Sequence, residues 1–495
     1  MQGKMKLFYS LLVFSALCIP LTGQEGVPWK YSEPELQGVS SLYLEKGIEK
    51  LRRENTRIHS LLVIRNDRII LDAYFYPFQK GLDHDMASVT KSITALLVGL
   101  AIDKGFIKDE YQPVIGFFPE YVTANDTLLK LTIKDLLNMA SGFRCSWFNG
   151  EKELSGMNSS SDWVKYMFGL PFSAEPGTRF SYCSGNFYLL AEIIQRATKM
   201  SCHEFADRYL FKPLGTGKTF WEKNRWGVNH GWGDLFMSPY DLARIGSLLL
   251  NEGKWNGVQV ISKNWIDKIQ PLFKIQKTES YGYGWWLDSE NPDEIQAVGR
   301  GGQRLFVFRE CKMIIVATGG GFEAGEMDNL VLDAIRAYDK NSRHGSGLDS
   351  LQMAISKKPD TTIPAADFLP DSILNKEFVL TTNRLNITTL KFEKQNDSPC
   401  LVLNFSDGAK DVHPFGTDGR YIVTNGRFFG LPVALKGAWD ADRLVIWYDA
   451  LCKINLIKLA FSFSNGSFSL EIKDETDGWH QTVNGTLQKS ILQNQ

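Results

Sequence analysis

A serine placed three residues before a lysine, at the start of an apolar helical run, is the first chemical signal in this chain. Residues 85–105 read DMASVTKSITALLVGLAIDKG. Ile93, Leu96, Leu97, Leu100 and Ala101 recur at helical spacing, and Gly105 stands where a helix can end. The spacing puts Ser88 and Lys91 on one face. A serine hydroxyl at neutral pH is a poor nucleophile. An amine within hydrogen-bond reach can take its proton or, as ammonium, stabilise the alkoxide. The helix N-terminus adds positive potential at the same place. Taken alone the pattern is common, and a helix-capping Ser88 with a solvated Lys91 is its ordinary meaning.

Other chemistries find less support. The seven histidines show no H-x-H or H-E-x-x-H spacing, which disfavours a metal site. His84 and His230 read as structural or solvated. Ser88 lacks the G-x-S-x-G context of a Ser-His-Asp hydrolase. Gly319-Gly320-Gly321 is not followed by the Gly-Lys-Ser/Thr of a phosphate loop. Beyond Cys18, six cysteines (Cys145, Cys183, Cys202, Cys311, Cys400 and Cys452) are scattered without a C-x-x-C pair, so one or two bridges are allowed but no pairing is chosen. Trp232, Trp285 and Trp286 fit either an apolar pocket or core packing.

The elements that must position Ser88 and Lys91 can be read around them. Residues 41–54 form an amphipathic helical pattern. Ser60–Arg65 and Arg68–Phe75 are apolar runs about a tight Asn66-Asp67 turn, which predicts a hairpin. The pattern returns at Leu305–Phe308 and Met313–Thr318 around a polar 309–312 turn, and a helical pattern follows at 327–339. Strands near both ends of residues 40–340, with a helical and loop-rich middle, predict an α+β fold: one antiparallel sheet flanked by helices, with a helical lobe inserted. The cleft between them is the natural ligand site. Residues 341–372 are polar and breaker-rich and read as a linker. From 373 to 495, short β-like runs at intervals of about ten residues predict a sandwich or small barrel.

The bulk numbers set bounds. With 495 residues, 43% hydrophobic, 22% charged and a formal net charge of −1, the chain is an ordinary globular protein. No long basic run asks for nucleic acid or an anionic membrane. Residues 1–23, with Lys4 and Lys6 before the apolar run Leu7–Leu21, read as a secretory signal, leaving no membrane span after cleavage. The expected location is the periplasm or outside the cell. Leu17 before Cys18 is too bulky for a lipoprotein signal.

Two further segments change what Ser88 means. Residues 176–190 read PGTRFSYCSGNFYLL and residues 296–308 read QAVGRGGQRLFVF. With SVTK they resemble the three motifs of the serine β-lactamase and penicillin-binding-protein superfamily. The resemblance is closest to the class C-like branch, which holds D-alanyl-D-alanine carboxypeptidases, esterases and 6-aminohexanoate-oligomer hydrolases. LTIKDLLNMASG (131–142), SPYDLARIGSLLLNEGKWNG (238–257) and YGYGWW (281–286) add to it, and it spans roughly residues 40–340. The resemblance implies a β-lactamase-like domain over 24–340 that needs no cofactor. It implies that Ser88 attacks a carbonyl and forms an acyl-enzyme, that Lys91 shares its proton, and that Tyr182 acts as base and then protonates the leaving group. Ser184 would hydrogen-bond the lysine or the substrate. Arg300 would hold a positive charge beside the site and select substrates bearing a carboxylate. The backbone N–H groups of Ser88 and Gln303 would form the oxyanion hole. Gly301 and Gly302 would let their strand approach the substrate closely.

Two positions depart from the pattern. Arg300 replaces the usual lysine or histidine, and Ser184 the commoner asparagine, which puts efficient β-lactam hydrolysis in doubt. KGAWDADRLVIWY (436–448) resembles the lipocalin-like barrel appended to some members, so residues 373–495 are expected to be an accessory all-β module without a catalytic residue. The expected partner is a small-molecule, peptide or ester substrate, with the oligomeric state left open. The competing reading, from a different class, is a non-catalytic binding or sensing protein of the same fold that traps an acyl group.

Overall fold

Asn66 and Asp67 both take left-handed backbone, with φ of 48° and 57°. A type I′ turn needs this at both central positions, and it closes the hairpin of strands Ile58–Arg65 and Arg68–Tyr74. The computed structural model describes residues 29–488 apart from 54–55, 122–124, 146–150, 278, 290–292, 322–326, 339–346, 358–367, 384, 397, 418 and 427–430. The expected signal segment 1–23 lies outside the described residues.

The hairpin belongs to a nine-stranded sheet. Its order is Lys30–Tyr31, Arg68–Tyr74, Ile58–Arg65, Met313–Gly319, Gln303–Phe308, Glu294–Gly299, Trp285–Asp288, Glu279–Gly282 and Phe273–Lys274. All pairings are antiparallel except that of Lys30–Tyr31, which runs parallel to its neighbour. Leu61, Val63, Met313, Ile315 and Ala317 face a layer formed by helices Ser41–Arg53, Met327–Arg336 and Leu348–Ser356. Leu62, Ile64, Ile314 and Val316 face the opposite way, into the core shared with helices Val89–Asp103 and Pro239–Leu250. Burial on both faces is why SLLVIR and MIIVAT read as unbroken apolar runs rather than alternating ones. The lobe inserted between Tyr74 and Phe273 is largely helical, and its centre is the packing of Val89–Asp103 against Ser184–Thr198.

Helix Leu348–Ser356 falls inside the stretch read as a linker. Leu348, Leu351 and Ile355 are buried against the sheet layer, the Ile355 carbonyl accepts from the Tyr76 N–H (2.8 Å), and Gln352 Oε1 accepts from the Asp72 N–H (3.0 Å). The first domain therefore extends at least to Ser356. Polar breakers on both sides hide a short helix whose apolar face is only three residues wide.

Beyond it, ten strands from Glu377–Leu380 to His480–Leu487 form a nearly closed antiparallel barrel. The first of these strands pairs with the last. Phe378, Leu390, Phe392, Leu401, Leu403, Leu444, Ile446, Phe461, Leu470 and Val483 fill its interior. The barrel docks onto the first domain. Tyr76 Oη donates to the Tyr421 carbonyl (2.8 Å), Arg57 reaches Asp449 (3.6 Å) and Thr476 (3.1 Å), and Phe78 packs with Ala434 and Leu451.

If helix Leu348–Ser356 is part of the core, Leu351→Ala should cost about 2–4 kcal/mol, the usual cost of emptying a buried leucine site. A passive linker would register within about 0.5 kcal/mol of zero. Urea denaturation of the full chain separates the two.

Candidate active site

The backbone enters the nucleophile helix through a strained turn. Ala87 has a φ of 45°, a left-handed conformation that favours glycine and costs energy in a residue with a side chain. Two contacts hold it there: Asp85 Oδ1 accepts from the Ala87 N–H (2.9 Å), and the Leu235 carbonyl accepts from the Met86 N–H (2.9 Å). Ser88 then stands at the helix N-terminus, half-buried, with no side-chain capping bond. The hydroxyl is thus free of the capping duty that the ordinary meaning assigns to it.

Lys91 is 2% exposed. Its Nζ donates to Ser88 Oγ at 2.8 Å and to the Trp232 carbonyl at 2.9 Å. A buried ammonium needs such partners, and they aim it at the serine. Two neighbours on the helix tie down the surrounding segments. Ser92 Oγ donates to the Gly284 carbonyl (2.7 Å), and Thr94 Oγ1 to the Gly231 carbonyl (2.8 Å). The Tyr182 ring lies beside the lysine, its centroid 5.0 Å from Nζ, and Trp286 stacks at 6.1 Å from it. A Cys145–Cys183 disulfide clamps the residue after Tyr182, which settles one pairing the sequence left open. Ser88, Lys91 and Tyr182 are therefore brought together.

The remaining expected positions are placed differently. Ser184 Oγ donates to Glu151 Oε1 (2.6 Å), not to the lysine. Arg300 Nη1 and Nη2 are taken by Asp477 (2.8 Å) and Asn455 (3.3 Å) of the barrel, so its fork is not open to a substrate carboxylate. Gly301, at φ 79°, has the barrel packed against it. A Cβ there would sit 2.2 Å from Ile454 Cγ2, so the glycine makes room for the barrel's Ile454. Gly302, also left-handed at 95°, completes the tight turn between strands Glu294–Gly299 and Gln303–Phe308. The side chain of Gln303 donates to the Gly319 carbonyl (2.6 Å) and the Arg300 carbonyl (3.3 Å), fixing that turn. The glycine that does permit close approach is Gly299, whose absent Cβ would lie 2.6 Å from the Met86 carbonyl oxygen.

Titratable groups gather around the turn before Ser88, among them Asp83, Asp85, Glu222 and Asp234, which the sequence did not single out. The Asp85 carboxyl is pushed up to about 6, chiefly by burial, while Lys453 draws it down and Asp234 raises it further. Asp83 is pushed up to about 7 by burial and by Asp241. His84 donates to or accepts from His59 at 2.8 Å, and burial draws it down to about 4. Glu222, His230 and Asp234 present ligand atoms within 4.8 Å of one another, which histidine spacing alone does not reveal. Lys453 already supplies positive charge 3.8 Å from Glu222. No linear spacing marks these groups, because the fold gathers them from four segments.

Residues 49–329 match the family model described as Beta-lactamase. The chain is 25% identical over 317 residues to the 6-aminohexanoate-dimer hydrolase of Paenarthrobacter ureafaciens, covering 58% of this chain and 80% of that protein. In structure it resembles EstCE1, a hydrolase with promiscuous acyltransferase activity, at a TM-score of 0.51 and 15% identity over 61% of this chain and 99% of that one. It also resembles a family VIII carboxylesterase at a TM-score of 0.50 and 16% identity, covering 62% and 98%. At these identities the structural likeness speaks to the fold.

Two outcomes are expected. The folded state binds the Asp85 proton more tightly than the unfolded chain does. This contribution to stability is therefore full below the unfolded value of ~4 and is lost as pH rises through about 6. Asp85→Asn keeps an acceptor for Ala87 but never charges, so its stability relative to wild type should rise between those two values and level off above. Melting curves across this range would show parallel behaviour if Asp85 were not the titrating group. Gly299→Ala should lower kcat about 10²-fold by displacing the Ser88 turn. Gly116→Ala, whose Cβ meets nothing within 4 Å, is the control.

Proposed function

The chain belongs to the beta-lactamase family and is a serine hydrolase, and from that premise we propose that it is exported and cleaves an amide or ester through an acyl-enzyme on Ser88. The observation that carries this is the 2.8 Å hydrogen bond from the buried Lys91 ammonium to Ser88 Oγ. In the reaction, Ser88 Oγ adds to the substrate carbonyl while its proton passes to Tyr182 Oη as base, and the Lys91 ammonium steadies the developing alkoxide. The tetrahedral oxyanion is met by the backbone N–H groups of Ser88 and Gln303, an arrangement that commonly supplies about 2.7–4 kcal/mol per donor. Collapse expels the amine or alcohol, which takes the proton from Tyr182. Water repeats the sequence with the roles of attacking and leaving groups exchanged, and frees Ser88.

The likeness to the 6-aminohexanoate-dimer hydrolase and to a family VIII carboxylesterase supports a small amide or ester as the substrate class. The Cys145–Cys183 bridge beside Tyr182 supports residence in an oxidising compartment, the periplasm or the exterior. The barrel is proposed to be of the lipocalin-like kind. Among the described residues no helix is long and apolar enough to cross a membrane.

A chromogenic ester together with intact-mass spectrometry tests the reading. Wild type should release product continuously and carry a transient adduct, and Ser88→Ala should do neither. A single burst without turnover would favour the acyl-trapping alternative. Tyr182→Phe preserves ring packing and should lower turnover by about 10²–10⁴, the usual range for a positioned acid–base group. Unchanged kcat in that variant would make Tyr182 structural.

A further inference from the structure

The barrel reaches the reaction centre through two loops. One, 451–455, joins strands Arg443–Ala450 and Leu456–Ser464, and the other, 475–479, joins Ser467–Asp474 and His480–Leu487. At one end of the first loop, the Cys452 carbonyl accepts from the Asp85 N–H at 2.8 Å, three residues before Ser88. Lys453 lies 3.8 Å from Asp85. At the other end, Ile454 packs on Gly301 and Asn455 meets Arg300. The loop thus runs from the nucleophile turn to the third-motif turn and forms one wall of the cleft.

The acceptors for Arg300 are held in place before any substrate arrives. Asn455 Nδ2 donates to Asp477 Oδ2 (2.8 Å) and to Asp474 Oδ2 (2.6 Å). Asp474 Oδ1 accepts from the N–H groups of Thr476 (2.9 Å) and Asp477 (3.2 Å). Asp474 is itself buried. Asp477 Oδ1 and Asn455 Oδ1 are therefore presented side by side to the two terminal nitrogens of one guanidinium, as a planar substrate carboxylate would present its own oxygens.

We propose that Asp477 is a specificity-determining residue that occupies Arg300, so that the cleft takes esters and amides carrying no carboxylate beside the scissile bond. This rests on the acyl-transfer reading of the site. A carboxylate on the substrate would have to displace Asp477 and then lie beside it, like charge against like. Arg300 and Asp477 are 47% and 44% exposed, so solvent screening keeps the strength of the pair modest and leaves Asp477 displaceable.

The test uses the full chain and two p-nitrophenyl esters, a neutral butyrate and the half-ester of succinate, with kcat and KM measured separately. In wild type the neutral ester is preferred. Asp477→Asn keeps the shape and the bond to Asn455 and removes the charge, so the anionic-to-neutral ratio of kcat/KM should rise about 3- to 10-fold, mainly through KM. Asp477→Glu restores the charge and should return the ratio toward wild type. In an Arg300→Ala background, Asp477→Asn should no longer favour the anion through guanidinium binding, and the ratio should move less than 2-fold. A ratio unmoved by Asp477→Asn overturns the inference, as does an equal rise with and without Arg300. Failure of both esters to show Ser88-dependent turnover overturns instead the acyl-transfer reading, and this inference falls with it.

Discussion

A lysine ammonium withdrawn from water is the constraint around which the first domain is organised. Lys91 retains 2% exposure. Burying such a charge without partners would cost several kcal/mol, so two acceptors must be delivered to Nζ. One is Ser88 Oγ from its own helix, and the other is the Trp232 carbonyl, 141 residues away. Delivering that carbonyl requires the Gly231–Gly233 segment to lie against the helix, which Thr94 secures through Gly231. The same packing brings the Tyr281–Trp286 segment across Ser92 and sets Trp286 against Tyr182. Desolvation and nucleophile placement are thus solved by one arrangement.

The second organising contact is between domains. The barrel's loops meet both the turn before Ser88 and the turn carrying Arg300. Arg57 ties the same region from behind, with Asp449, Thr476 and the carbonyls of Gly320 and Ile454 around it. Hydrogen bonds and ion pairs of this kind are individually weak at a surface but are strengthened where burial excludes water, as around Asp449 and Asp85. The interface therefore specifies orientation more than it supplies adhesion.

The sheet, both hairpins and the nucleophile helix were legible because each depends on local pattern: the Asn66-Asp67 turn, the apolar runs around it, and the helical period after Ser88. Motif spacing also singled out Ser88, Lys91 and Tyr182, which the fold places beside one another. What escaped has a common physical cause. Arg300 and its partner Asp477 are 177 residues apart, and nothing in the local sequence of either marks the other. Gly301 reads as room for a substrate because the residue packed on it, Ile454, belongs to another domain. The Leu348–Ser356 helix was hidden by the polar residues flanking it, and the Cys145–Cys183 bridge by the equivalence of scattered cysteines under any spacing argument.

The pairing of the barrel's first strand with its last carries an implication for how the molecule is made. Strand Glu377–Leu380 must wait for His480–Leu487, which follows about a hundred residues later in the chain, before its edge is covered. The loops that complete the cleft wall, 451–455 and 475–479, belong to this late-made region. Residues 49–329, where Ser88, Lys91 and Tyr182 lie, share a core to which the barrel contributes no residue. Ser88, Lys91 and Tyr182 are therefore gathered by a core that precedes the barrel in the chain, and the loops beside them come from the part made last.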